Sequence, residues 1–523
     1  MEKVEWRRVA HESEVPEGSP RAFTVGEETI LLVRHEGKVH ALAPNCPHYD
    51  EKLEKGVLFG HELVCGAHCA RFDVRSGKVT AAPALDDLAT WPVRVEGGEI
   101  LVGAKAQARF PKPTGTDSRL FLIVGAGAAG NAAAETLRRE GFAGRIVMVT
   151  PEADGPYDRP NLSKDLLAGT AQPEWMPLRR AKFYQENGIE LRTGMPVTRL
   201  DPVEKVATLG DGSALHFDAA LLATGGTARK LAIPGASSPG CYLLRSWADA
   251  RQLLDRLASA KDVVCVGAGF IGLELASSLR ERGIKVTVVA PEALPLSLII
   301  GDRVAAFVMK RHQEKGVAFT MGNQVTAVSE GPGRKRVTLT DGEVLEADLV
   351  VFGLGITPAL DYLAGTGLVE AGAVPVDGTL ATRVPGIFAA GDIAVAPDPL
   401  TGEGRRVEHW VVAERQGQHA ARAMLGSRAP FDEVPFFWTR QAGFSLKYAG
   451  HARQFDLVQY RGSVEEGSFL AGYFYQGKLK AAASVGRRVE QLAMAEIIRR
   501  GLPLLPTQLS DEGFDLLAYA RRT

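Results

Sequence analysis

The pattern of apolar and polar positions divides the chain into stretches of different period. From the N-terminus to about Gly103, short runs such as AFTVGEETILLVRHEGKVHALA and ATWPVRVEGGEILVG alternate apolar with polar residues and break at glycines. That is the signature of half-buried strands, and it predicts a small all-β domain over residues 1–105. The stretch AKAQARFPKPTGTDSR carries two prolines and no periodicity, and predicts a linker over 106–118. The period then changes to apolar strands followed by helical spacing, and it does so twice. LIVGAGAAGNAAAETLRREGFAGRIVMVTPEA from Leu122 and VCVGAGFIGLELASSLRERGIKVTVVAPEA from Val264 both read as strand, GAGxxG, helix ending in Leu-Arg, glycine, strand and Pro-Glu-Ala. One βαβ unit occurs twice. More strand-type sequence follows (VTLTDGEVLEADLVVFGLG, then GIFAAGDIAVAP), then a helical run from about Arg406, then a strand-rich stretch closed by helices. The expected fold class is therefore multidomain, α/β with β: an N-terminal all-β domain, two Rossmann-like domains at 119–243 with 325–405 and at 244–324, and a C-terminal α+β domain over 406–523.

At 523 residues the chain is too long for one core. Its 61 basic and 62 acidic side chains leave a net charge of -1, which gives no electrostatic reason to expect nucleic acid or an anionic membrane as partner. The longest apolar runs, such as ALPLSLII from Ala293, stop far short of the ~20 residues that span a bilayer. The N-terminal stretch is charged throughout and lacks the apolar run of a secretory signal. Five cysteines, an odd number with Cys241 and Cys265 far from the rest, argue against a disulfide framework and for a cytoplasmic location.

Gly125, Gly127 and Gly130 of the first unit, and Gly267, Gly269 and Gly272 of the second, fit the entry to a nucleotide-binding βαβ fold. The first glycine makes the tight turn, the second lets backbone approach a pyrophosphate, and the third lets the helix pack on the strand. The phosphate then sits on the helix N-terminus, where free N–H groups and the macrodipole favour an anion. Glu152 and Glu292 follow at the distance where a carboxylate accepts the hydroxyls of an adenosine ribose. No Arg or Lys lies between Val286 and Asp302 to receive a 2′-phosphate, which favours NADH over NADPH. Two nucleotide sites in one chain suggest a relay from nicotinamide to flavin.

Taken in order, the first unit, PYDRPNLSKDLL, LLATGG, the second unit and GIFAAGDIA resemble the two-dinucleotide-fold flavoprotein reductases. RVEHWVVAERQG and VPFFWTRQ are similar to later signatures of one branch, the ferredoxin reductases of oxygenase systems and the apoptosis-inducing-factor-like proteins. The resemblance covers roughly residues 119 to 523. It implies FAD on the first unit and NAD on the second. It also implies that Arg159 and Lys164 face the flavin, that Asp392 beside Gly391 binds the ribityl chain, and that Thr224 and Gly225 line the cofactor. By the same resemblance Glu274 reaches the nicotinamide carboxamide and pairs with Lys164, while Glu408, Trp410 and Trp438 shield the flavin; Lys164, Glu274, Glu408 and Trp410 form the catalytic set. Relatives often place the ribose acid at the strand end, where this chain has Thr150-Pro151 and Ala290-Pro291. The disulfide-reducing branch needs a cysteine soon after LSK, and this chain has none between Cys69 and Cys241, so electrons leave the flavin by another route.

Cys46 with His48 forms C-x-H and Cys65 with His68 forms C-x-x-H, sixteen residues apart. Two thiolates and two imidazoles bind zinc, or a 2Fe-2S centre with cysteines on one iron and histidines on the other. Zinc sites favour C-x₂₋₄-C knuckles, whereas each half here mixes Cys with His. CPHYDEKLEKGVL and CGAHCARFDVRSGKV resemble the two cluster loops of Rieske domains, over roughly residues 4 to 103. That resemblance implies a potential in the lower half of about -150 to +300 mV, since Glu51 and Ala67 stand where high-potential relatives carry a disulfide. Asp50 and Cys69 stand where relatives usually have glycine, and Gly66 and Ala67 where they have a proline and often an aromatic. Cys69 is expected to pack as a small hydrophobe and His61 to sit exposed in a hairpin.

The expected function joins the two halves: NADH reduces FAD, FAD reduces the cluster, and the cluster serves an acceptor that is a ferredoxin, a cytochrome, an oxygenase or a quinone. Two alternatives keep the folds. One is a slow, apoptosis-inducing-factor-like NADH sensor that switches a homodimer; the other is an NADH oxidase with a structural cluster.

Overall fold

The computed structural model describes residues 5–106 and 110–522; residues 1–4 of the N-terminal domain, 107–109 of the linker and 523 lie outside the described residues. Strands from Arg7–His11 to Glu99–Val102 form three antiparallel sheets. Alternating residues of these strands converge on a core of Leu31, Val33, Leu42, Leu53, Leu63 and Phe72, all fully buried, with Cys46 and Cys65 joining the same cluster. The sheet Val57–Phe59, Glu62–Val64, Arg71–Asp73, Val79–Ala81 has one Cys-His loop just ahead of its first strand and the other between its second and third.

The duplicated units form two five-stranded parallel sheets that match in their first four strands and differ in where the chain supplies the fifth. The first has the order Ile189–Arg192, Arg145–Val149, Leu120–Val124, Ala219–Leu222, Ile387–Ala389. The second runs Val317–Met321, Lys285–Ala290, Asp262–Val266, Leu349–Phe352, Cys241–Leu243. Their central strands are continuous apolar runs because layers cover both faces, as parallel sheets require. This pairing moves the boundaries read from the sequence. Cys241–Leu243 and Leu349–Phe352 lie in the second sheet, since Leu349–Phe352 hydrogen-bonds to Asp262–Val266 and Cys241–Leu243 adds beyond it, and the strands Val325–Glu330, Lys335–Leu339 and Val344–Ala347 form a three-stranded sheet packed on that unit. The helix Trp410–Met424, assigned to the C-terminal domain from sequence, packs instead on helix Ala128–Arg139 of the first unit. A Cβ on Gly417 would lie 2.1 Å from the Ala129 carbonyl, so glycine is what lets the two helices approach.

The C-terminal sheet is antiparallel, in the order Phe436–Gln441, Phe444–Gly450, Lys478–Val485, Ser468–Tyr475, Leu457–Ser463. One of its faces meets Ile300, Val304, Phe307 and Val308 of the second unit. The other is covered by helices Arg488–Arg499 and Leu516–Ala520, and Val57, Val64 and Cys69 of the all-β domain join that same cluster. The N-terminal domain is thus packed onto the C-terminal one. Among the described residues no helix is long and apolar enough to cross a membrane.

Candidate functional site

Both glycine-rich turns show the same division of labour. Gly125 has φ +109°, and a Cβ there would lie 2.2 Å from the Ala223 carbonyl oxygen; one on Gly130 would lie 1.9 Å from that of Gly125. In the second unit Gly267 has φ +106° with the Gly353 oxygen 2.5 Å from its Cβ position, and Gly272 meets the Gly267 oxygen at 2.1 Å. Gly127 and Gly269 have nothing within 4 Å. The first and third glycines are demanded by the chain's packing on itself, while the second borders open space at a helix N-terminus. Each turn fits a pyrophosphate.

Around the first turn the polar residues form a chain of contacts. Glu152 is engaged by Arg159 Nη2 at 2.7 Å and by the Tyr157 hydroxyl at 2.6 Å. Arg159 also donates to the Arg245 carbonyl at 2.6 Å, and Arg245 donates to Asp392 Oδ2 at 2.9 Å. Thr224 Oγ1 donates to the Ala359 carbonyl at 2.7 Å, and Gly225 beside it has φ +63°. Gly391 N–H donates to Gln416 Oε1 at 2.7 Å. Glu408 pairs with Arg406 at 2.6 Å, and Trp410, the first residue of its helix, packs on the first unit's core. Glu292 is exposed at the end of Lys285–Ala290.

Three domains meet at Glu274. Its carboxylate is buried, with Oε2 accepting from Lys164 Nζ at 2.9 Å and from the Ser163 hydroxyl at 2.6 Å, and Oε1 accepting from the Thr439 hydroxyl at 2.6 Å. Lys164 comes from the first unit, Glu274 from helix Phe270–Glu281 of the second, and Thr439 from strand Phe436–Gln441 of the C-terminal domain. A buried charge held this way is costly to place and defines one geometry.

The Cys-His loops are near copies of one another. The N–H of each cysteine donates to the carbonyl five residues on (Cys46 to Glu51, Cys65 to Ala70, both 2.8 Å), and each cysteine carbonyl accepts from the N–H four residues on. Those fourth residues, Asp50 (φ +56°) and Cys69 (φ +61°), keep the left-handed backbone that glycine would adopt without strain. The Cys46 and Cys65 thiols are close enough to interact, which pulls Cys65 down and pushes Cys46 up as one thiol gives up its proton beside the other. The imidazoles of His48 and His68 meet through their Nδ1 atoms at 3.1 Å, and burial pushes His48 down to about 4 and His68 well below its ordinary value. Neutral imidazole is the ligating form. Among the described residues no three or more Cys, His, Asp or Glu converge as a zinc site would need. The two thiols lie on one side and the two imidazoles on the other, an arrangement that would offer two donors to each of two irons. His61 is exposed between strands Val57–Phe59 and Glu62–Val64, and Cys69 packs in an apolar cluster.

The histidine pair faces the reductase part. The Trp438 indole lies 4.1 Å from the His68 ring and 6.1 Å from His48, centroid to centroid. Tyr49 stacks 4.2 Å from His48, and its hydroxyl donates to Asp158, the residue before Arg159. Glu414 lies buried close by, with Oε2 unpartnered, and burial raises both its carboxyl and that of Asp158.

The sequence model of the pyridine nucleotide-disulphide oxidoreductases matches residues 120–417, more than half of the chain. The chain belongs to that family. A Rieske [2Fe-2S] domain matches residues 5–92 and a reductase C-terminal domain residues 436–520. Apoptosis-inducing factor 3 of Homo sapiens is 37% identical over 512 residues, covering 94% of this chain and 84% of that protein. Rhodocoxin reductase of Rhodococcus erythropolis is 36% identical over 403 residues, 77% of this chain and 94% of that protein. Among solved structures, the ferredoxin reductase for the CYP199A2 system of Rhodopseudomonas palustris superposes with a TM-score of 0.74 at 34% identity, over 77% of this chain and all of that one. As a member of this family with a Rieske domain, the protein is an NAD(P)H-dependent oxidoreductase that uses FAD and a 2Fe-2S cluster.

Sequence reading passes over Arg245, Asp158, Tyr49, Thr439 and Ser163, which the fold brings to these sites. Ser163 and Asp158 lie inside PYDRPNLSK, Tyr49 inside CPHYDEKLEKGVL and Thr439 inside VPFFWTRQ, but no motif pointed to their partners, and Arg245 arrives from a segment whose local pattern is that of an ordinary strand and loop.

Proposed function

We propose that the chain is an NADH-dependent reductase that passes electrons from FAD to its own Rieske centre and from there to a protein or small-molecule acceptor. The observation that carries this reading is the contact of His68 with Trp438, since Trp438 adjoins Thr439, which holds Glu274 and through it Lys164. The histidine edge of the cluster site and the Lys164–Glu274 junction are thus separated by one strand. FAD supplies the conversion of a two-electron hydride donor into single electrons. Gly125, Gly127 and Gly130 would hold its pyrophosphate, and Asp392 with Arg159 its sugar and ring system. Gly267, Gly269 and Gly272 would hold NAD, with Glu292 on the ribose. Lys164 and Glu274 would orient flavin and nicotinamide and exclude water between them, and Trp438 would bridge toward His68 as well as shield.

A Rieske ligand pair carries the potential well above a reduced nicotinamide, so the flow is downhill. The names of the relatives, among them the ferredoxin–NAD(+) reductase of a benzene 1,2-dioxygenase system from Pseudomonas putida, support an acceptor of iron–sulfur or oxygenase type. The test is NADH-driven cytochrome c reduction by wild type and His68→Ala. The variant should lose most of the turnover while its flavin is still reduced by NADH at the wild-type rate. Equal turnover would take the cluster out of the path.

A further inference from the structure

Lys447 lies directly across from Trp438 in the pairing of strands Phe436–Gln441 and Phe444–Gly450. Residues opposite one another in an antiparallel pair present side chains on one face, and that face is turned to the all-β domain: Trp438 meets His68, and Lys447 Nζ donates to the carbonyl of Gly66, between Cys65 and His68 in the second cluster loop. Two other cations reach the same loops. Arg415 donates to the Cys69 carbonyl at 2.6 Å and Arg488 pairs with Glu51 at 2.6 Å. Their charges are balanced, Arg415 by Glu433 at 2.7 Å and Arg488 by Glu51 itself. Lys447 forms no salt bridge among the described residues; Glu51, Arg488, His68 and the Cys65 and Cys69 thiols are charged or titratable groups around it. Gly66 is part of the same arrangement, because a Cβ there would lie 2.6 Å from Arg488 Cδ and 2.8 Å from the Lys55 carbonyl. The glycine that replaces the family's usual proline makes room for the C-terminal domain.

We propose that Lys447 is a positioning residue that reaches across the domain boundary and raises the reduction potential of the 2Fe-2S centre, so that the reductase part sets the driving force of its own acceptor. The inference rests on the Rieske reading of Cys46, His48, Cys65 and His68. When the centre takes one electron from reduced flavin it gains one negative charge, with no bond made or broken. A cation held at the carbonyl between two of its ligands favours the reduced state, and net charge and hydrogen bonding around the centre are what set its potential. A partly buried ammonium is weakly screened by solvent and salt, so the effect persists at high ionic strength.

The experiment is an EPR-monitored redox titration of the full-length holoprotein. Lys447→Gln should shift the cluster's equilibrium about tenfold toward the oxidised form, 59 mV for one electron. Lys447→Arg should stay close to wild type, and Arg488→Gln should move the midpoint less than Lys447→Gln because it removes a balanced charge. An unchanged midpoint in Lys447→Gln overturns the proposal, as does an equal fall in Lys447→Arg, which would assign the effect to packing. A Lys447→Gln protein that loads no cluster while Lys447→Arg does would assign Lys447 to holding the loop, and also overturns it. Wild-type protein without a Rieske signal would fail the cluster reading itself, a separate result.

Discussion

Glu274→Ala is the most informative single perturbation of the junction between the three domains. It removes the acceptor of three hydrogen bonds and leaves the Lys164 ammonium, whose side chain is 11% exposed, without a counter-charge. Glu274 is 3% exposed, so the pair belongs with buried ion pairs, where breaking one partner costs about 3–5 kcal/mol, and not with surface pairs worth about 0–1 kcal/mol. Lys164→Met leaves Glu274 charged but still receiving the Ser163 and Thr439 hydroxyls, so its cost should lie near about 3 kcal/mol. Removing both charges in Lys164→Met with Glu274→Leu should recover a coupling of about 2–3 kcal/mol relative to the sum of the singles. The assay is urea unfolding of FAD-loaded protein, followed by circular dichroism and by flavin fluorescence. Strictly additive singles, or a Glu274→Ala protein within about 1 kcal/mol of wild type, would refute the assignment of this carboxylate as the buried partner of Lys164.

Trp438→Leu should slow reduction of the cluster after NADH is added and leave flavin reduction unchanged, read at separate wavelengths in one stopped-flow experiment; equal slowing of both would place Trp438 on the nicotinamide side. Glu414 ionises near 4.3 in an unfolded chain, but burial keeps its proton on to higher pH in the folded protein. The unfolded state therefore sheds the proton first, and stability falls as pH rises above about 4.3, by about 1.4 kcal/mol for each unit of difference. Glu414→Gln should accordingly raise the melting temperature more at pH 8 than at pH 5, and a gain independent of pH would contradict this. Gly130→Ala should abolish FAD retention on gel filtration, because its Cβ would sit 1.9 Å from the Gly125 oxygen, whereas Gly127→Ala should fold and bind FAD more weakly.

Features that depend on neighbouring residues along the chain were legible in the sequence. The glycine turns are legible from their spacing: Gly130 and Gly272 are demanded by the carbonyls of Gly125 and Gly267 in their own turns, although Gly125 and Gly267 themselves meet Ala223 and Gly353 at the ends of distant strands. The cluster loops are equally local: Cys46 with Asp50, and Cys65 with Cys69, close their own hydrogen-bonded turns. The Lys164–Glu274 pair was reached only through the family resemblance, and Thr439, although inside VPFFWTRQ, gave no sign of completing it because its partner lies on a helix of another unit. The domain divisions failed where strand partners are distant, as with Cys241–Leu243, which pairs with a strand more than a hundred residues on. Lys447 and Arg488 were invisible for the same reason, and Arg415, although inside RVEHWVVAERQG, gave no sign of what it would meet. Each looks like a polar position on an ordinary strand or helix until the all-β domain packs against it.

The central claim is that electrons from NADH reach the Rieske centre through the flavin inside one chain. Its most direct test is anaerobic addition of NADH to the holoprotein, with flavin absorbance followed in time and the cluster's EPR signal sampled by freeze-quench. The account predicts that the flavin bleaches first and that the reduced-cluster signal then grows in to match. A flavin that is fully reduced beside a cluster that stays oxidised for minutes would contradict it.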